Sequence, residues 1–81
     1  MATTNISVNP STYTQVLNGA GFVYSEDEVE YIFTDTVSQP ESTVNGMNLS
    51  PRNQITGTTG KILWARCVGA DNSVVFSNPE A

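Results

Sequence analysis

Histidine is absent from the sequence, and Cys67 is its only cysteine. A lone thiol excludes an intrachain disulfide, and the lack of imidazole removes the commonest metal ligand together with any zinc-like spacing. The same absence takes away the usual general base at neutral pH. Only Lys61 or a carboxylate is left to activate a serine or Cys67, so neither a catalytic site nor a metal or other cofactor is expected. Basic residues are also scarce: Arg52, Lys61 and Arg66 stand against eight Asp and Glu, giving a net charge of −5. Such a field repels a phosphate backbone, which argues against nucleic acid as a partner. No apolar run approaches the roughly 18 residues of a membrane span, and Met1-Ala2-Thr3-Thr4-Asn5 has neither a basic region nor an apolar stretch behind it. The expectation is a soluble chain made in a reducing cytoplasm, without a membrane partner.

Threonine, serine and asparagine are abundant instead, and short β-branched or aromatic runs are punctuated by Gly, Pro or Asn-Gly. No window sustains helical apolar spacing without a Gly or Pro inside it. The pattern predicts strands at Asn5 to Val8, Tyr13 to Leu17, Gly21 to Ser25, Val29 to Thr34, Gln54 to Thr56, Lys61 to Val68 and Ser73 to Ser77, with a further short one near Met47 to Leu49. Seven to eight short strands in residues 1–81 make one all-β domain, a small antiparallel β-sandwich or barrel. Two hairpins are expected: Lys61 to Val68 with Ser73 to Ser77 across Gly69-Ala70-Asp71-Asn72, and the strands on either side of Asn18-Gly19-Ala20. A domain of this size buries only about 60 to 65% of its unfolded surface, so its core is thin. Without disulfide or metal, partner subunits are the remaining reinforcement, and a homo-oligomer is expected.

Three surfaces stand out as candidates for protein contact. Residues 1–9 read as an arm in which Ile6 and Val8 alternate with polar neighbours, a form suited to strand addition, and residues 77–81 read as a short tail that Pro79 keeps from pairing as a central strand. The polar stretch Asp35 to Arg52 reads as a long loop carrying Pro40, Val44, Met47 and Arg52, and connections of that length are commonly functional. In the strand Lys61 to Val68, the period of two places Ile62, Trp64 and Arg66 on one face and Leu63, Ala65 and Cys67 on the other. Neither face is cleanly polar, so both are expected to be covered, although a Trp beside an Arg is also the composition enriched at binding hot spots. Ile32, between Glu30 and Thr34, points the same way out of its own strand. Cys67 reads as a small buried hydrophobe, and the remaining aromatics as core. Glu26-Asp27-Glu28 lacks the glycine and repeat of a calcium loop and reads as a solvated turn.

The succession of phrases carries a resemblance. Tyr13-Thr14-Gln15-Val16-Leu17 is followed by Val29-Glu30-Tyr31-Ile32-Phe33-Thr34-Asp35-Thr36 with Ser38-Gln39-Pro40, by Leu49-Ser50-Pro51, and by Lys61-Ile62-Leu63-Trp64-Ala65-Arg66 with Val74-Val75-Phe76. From about Tyr13 to Phe76 the chain resembles the small all-β virion accessory proteins of tailed bacteriophages. The resemblance implies a jelly-roll-like or immunoglobulin-like sandwich that decorates or cements a capsid, with the major capsid protein or other virion proteins as partners. It implies a place on the virion, reached after synthesis in the host cytoplasm. The alternative it leaves is a receptor- or carbohydrate-binding module of a tail or fibre. No functional residue carries over, because the shared phrases are strands and turns rather than a chemical site.

Overall fold

The computed structural model describes residues 3–69 and 72–79, which form β1 (Thr4–Val8), β2 (Thr14–Asn18), β3 (Gly21–Ser25), β4 (Val29–Thr34), β5 (Met47–Leu49), β6 (Asn53–Gly57), β7 (Ile62–Cys67) and β8 (Ser73–Pro79). No helix occurs among the described residues. The strands stop where side chains or backbone conformation divert the chain. After β1, Asn9 Oδ1 accepts the N–H groups of Ser11 and Thr12, both at 2.9 Å, an Asx turn that bends the chain toward β2. After β2, Gly19 sits at φ 92°, a left-handed conformation that a side chain disfavours.

The eight strands lie in two four-stranded sheets, sheet A in the order β1-β8-β3-β6 and sheet B in the order β2-β7-β4-β5. Every pairing is antiparallel, and β1 pairs with β8, β2 with β7, β3 with β6 and β4 with β5. The chain is thus a long two-stranded ribbon, β1 to β4 against β5 to β8, wrapped until β3 meets β8 and β4 meets β7. Eight strands wound in this way are a jelly roll, distinct from the immunoglobulin partition of four strands against three. The sandwich is open at its edges and is not a closed barrel.

Both expected hairpins are absent. β7 and β8 fall in opposite sheets, and so do β2 and β3, so neither pair forms a hairpin, and the β2–β3 connection is an arch between the sheets. The cause lies in β7, whose two apolar faces require a neighbour on each side and a cover on each face. It takes β2 and β4 as neighbours, which leaves no edge for β8. The N-terminal segment is an integral edge strand over Thr4–Val8, and Met1 and Ala2 of the expected arm lie outside the described residues. At the other end β8 continues through Pro79 as a central strand. Pro79 is tolerated there because the pairing with β1 ends at Thr4↔Ser77, so only β3 flanks the last two positions of β8. Glu80 and Ala81 of the expected tail lie outside the described residues.

The gap between the sheets is filled mainly by valines: Val8, Val16, Val23, Val29 and Val75, with Leu17, Ile55, Leu63, Ala65 and Cys67. Small branched side chains suit a molecule only 17 Å across its shortest axis, since two stacked sheets already stand about 10 Å apart. In β2 the alternation breaks, and Val16 and Leu17 are both buried in succession. A shift of register between Gln15 and Leu17 accounts for it. The bulge turns two neighbours into the core and takes Val16 out of the ladder. Its carbonyl is satisfied from the opposite sheet by the Ser77 hydroxyl.

Candidate functional site

The two outer faces of the sandwich differ. On sheet B the register sets Glu30 opposite Arg66, Ile32 opposite Trp64 and Thr34 opposite Ile62. Ile62, Trp64 and Tyr13 form a second buried cluster there, with half-buried Ile32 against it. Tyr13 is fully buried and Trp64 only 5% exposed, so this outer face has a lid. The lid is the β4–β5 connection, residues 35–46. It is fastened by polar groups: Gln39 Nε2 donates to the Tyr13 carbonyl at 2.6 Å, and Tyr13 Oη donates to the Val44 carbonyl at 2.7 Å. The Trp64 indole N–H donates to Thr34 Oγ1 at 2.8 Å, which satisfies the one polar atom of that side chain.

Arg66 is the central fastener. Its Nε donates to Glu30 Oε1 at 2.8 Å, and its two terminal nitrogens donate to the carbonyls of Ser42 at 2.7 Å and Val44 at 3.3 Å. The guanidinium carbon also lies 4.3 Å from the centre of the Tyr13 ring, a cation–π contact. The other Glu30 oxygen accepts the Gly46 N–H at 2.5 Å. The Arg66 hydrogen bond, and after it the Gly46 N–H, hold the Glu30 carboxyl below its ordinary pKa. The bond to Glu30 raises Arg66 in turn, while burial and then the nearby Glu30 charge push the Tyr13 hydroxyl up. These are the marks of a structural clasp, in which each charge is neutralised where it lies.

Sheet A is the opposite case. None of its four strands contains a charged residue. Its inward positions include Val8, Val23, Ile55 and Val75, so the period of two turns Phe22 and Tyr24 of β3, and Val74 and Phe76 of β8, to the outside. Val74 is exposed, and the three aromatic side chains are half-buried. Tyr24 stands directly opposite Phe76, with ring centres 6.2 Å apart. Asn5 flanks Phe76 from β1, and Gln54 flanks Tyr24 from β6. At the β2–β3 end a cleft of about 300 Å³ opens beside Phe22, with Gln54, Thr56 and Asn78 among its walls. No segment fastened as residues 35–46 are on sheet B crosses this face among the described residues.

The contact residues expected from the sequence are scattered across these surroundings. Val8, Ile62 and Trp64 are buried, Ile6 packs half-buried on the main core, and Ile32 packs on the second cluster. Arg66, 12% exposed in its side chain, is taken up by the clasp. In the lid, Pro40 is half-buried, while Val44 exposes its side chain and gives its carbonyl to Tyr13 and Arg66. Met47 is exposed on the short edge strand β5. Arg52 is exposed at φ 64°, its N–H donating to the Ser25 carbonyl at 2.8 Å. In the acidic turn Ser25 Oγ accepts the Asp27 N–H, and Ser73 Oγ of β8 donates to Asp27 Oδ2 at 3.1 Å. No group of three or more potential metal ligands occurs among the described residues.

Phe22, Tyr24 and Phe76, expected as core, stand instead half-buried on an outer face, because the core between the sheets takes the valines that alternate with them. The signal of that face was present in Phe22-Val23-Tyr24 and Val74-Val75-Phe76, where one buried valine between two large side chains can turn only the valine inward. In comparisons with protein families, with curated proteins and with solved structures, the chain matches none of them.

Proposed function

We propose that this is a non-enzymatic virion accessory protein of a tailed bacteriophage, a decoration or cement protein that binds the major capsid protein through the outer face of sheet A. The observation that carries the reading is the asymmetry between the faces. One outer face is closed by a fastened lid, while the other presents Val74, Phe76, Tyr24 and Phe22 with no charge to desolvate on docking. Aromatic anchors on a sheet are what an interface core needs. The phrase-level resemblance supplies the virion, and jelly rolls recur in viral capsids, an analogy of fold rather than of site. A non-enzymatic role accords with the titratable groups, since Tyr13, Glu30 and Arg66 are spent on one another beneath the lid.

Cosedimentation with purified particles tests the reading. The protein is expected to pellet with particles, and Phe76→Ala to weaken retention at least about tenfold, the effect of losing one aromatic anchor. A protein that remains in the supernatant at every particle concentration overturns it. The cleft beside Phe22 favours a second reading, a carbohydrate- or receptor-binding module of a tail or fibre.

A further inference from the structure

We infer that the cleft at the β2–β3 end of sheet A is a binding site for one ring of a neutral sugar. Phe22 forms its centre. The register sets Asn78 of β8 directly opposite Phe22 on one side and Thr56 of β6 directly opposite on the other, with Gln54 one step diagonal. The backbone of Gly21 and Gly57 completes the wall. Cross-strand neighbours stand about 5 Å apart and diagonal ones about 7 to 8 Å, so a ring set on Phe22 reaches all three polar side chains at once.

The chemistry of the wall selects the ligand. A phenyl face is electron-rich and receives the weakly positive C–H face of a pyranose. The carboxamides of Asn78 and Gln54 each hold both donors and an acceptor, which matches hydroxyls that also donate and accept. Thr3 Oγ1 donates to Asn78 Oδ1 and so orients that amide from the strand edge. No charged side chain lines the cleft. A phosphate, sulfate or carboxylate would find no cation there and would meet a chain of net charge −5, and a cationic ligand would find no carboxylate. The volume of about 300 Å³ stands at the low end of small-ligand sites, room for one ring and not for a buried oligosaccharide.

The inference deepens the carbohydrate-binding reading of this cleft and rests on it, while docking on coat protein stands apart. Val74 and Asn78 are four residues apart on β8, so the cleft and the far end of the apolar face are separated by about 13 Å. The free protein is titrated, by amide chemical-shift mapping, with glucose, galactose, mannose and N-acetylglucosamine to about 50 mM, well past a millimolar dissociation constant. At least one of these sugars is expected to shift the amides of residues 20–22, 54–57 and 78, while sialic acid and glucose 6-phosphate do not. Phe22→Ala and Asn78→Ala, both at half-buried positions on the outer face, are each expected to weaken binding at least about tenfold with the remaining amide dispersion intact. Val74→Ala, at the far end of the docking face, is expected to leave sugar binding within about twofold. Absence of shifts with every neutral sugar, equal binding of the charged ones, or a loss from Val74→Ala as large as from Phe22→Ala overturns the site. Each of these results leaves the particle assay to decide docking by itself.

Discussion

The clasp beneath the lid makes a quantitative claim that a double-mutant cycle tests. Glu30 and Arg66 have side chains only 16% and 12% exposed, and they meet at 2.8 Å with further hydrogen bonds on both partners. A charge-assisted hydrogen bond in such a setting contributes about 1.5 to 3 kcal/mol. The other ion pair, Lys61 with Asp35, is 46% and 74% exposed, and pairs of that kind contribute about 0.2 to 1 kcal/mol. A domain of this size has roughly 4 to 12 kcal/mol in all, so the clasp is a large share of the total. Glu30→Gln, Arg66→Met and the double variant, unfolded in urea, are expected to give a coupling energy of about 2 kcal/mol. With a slope near 1 kcal/mol/M, that coupling is a midpoint difference of about 2 M. The cycle Lys61→Met with Asp35→Asn serves as the control. A coupling for Glu30 and Arg66 no greater than the control's refutes the clasp.

The same cluster sets the pH limits of stability. Glu30 is lowered from 4.5 by folding, so its contribution is complete above pH 4.5 and is lost as pH falls through the lowered folded value; Glu30→Gln should flatten that acid limb in an unfolding titration. Tyr13 is raised from 10.0, so its contribution is complete below pH 10 and is lost as pH rises through the raised folded value, and Tyr13→Phe should remove that alkaline limb. Gly46 permits the lid to close, because a Cβ there would collide with the Tyr31 carbonyl oxygen and crowd Glu30 Cγ and Tyr13 Oη, both 3.0 Å away. Gly46→Ala should cost about 1 to 3 kcal/mol and speed hydrogen exchange in residues 35–46, with the amides of sheet A unchanged.

Strand positions were legible in the sequence because period-two runs ended at Asn-Gly, Pro and Gly, and even the three-residue Met47–Leu49 left a trace. The pairing of those strands was not. The turn chemistry at Asn18-Gly19-Ala20 serves an arch between sheets as well as a hairpin within one, and only the demand of β7 for two neighbours and two covers decides between them. The two covered faces of β7 could be read from Ile62, Trp64 and Arg66 alternating with Leu63, Ala65 and Cys67. What covers Trp64 could not, because residues 35–46 close over it largely through the carbonyls of Ser42 and Val44 and the N–H of Gly46. Backbone groups are the same in every residue and leave no pattern. A polar loop that reads as a contact surface can therefore be a lid, and a Trp beside an Arg that has the composition of an interface anchor can be held beneath it.

Docking through the outer face of sheet A, as proposed, fixes how the protein must sit on a particle. A density map of a particle carrying the protein, at a resolution that orients the two sheets, tests it most directly. Sheet A is expected against the coat lattice, with Val74, Phe76 and Tyr24 at the contact and residues 35–46 turned to solvent. A map in which those residues contact the lattice while Phe76 and Tyr24 face outward would contradict it.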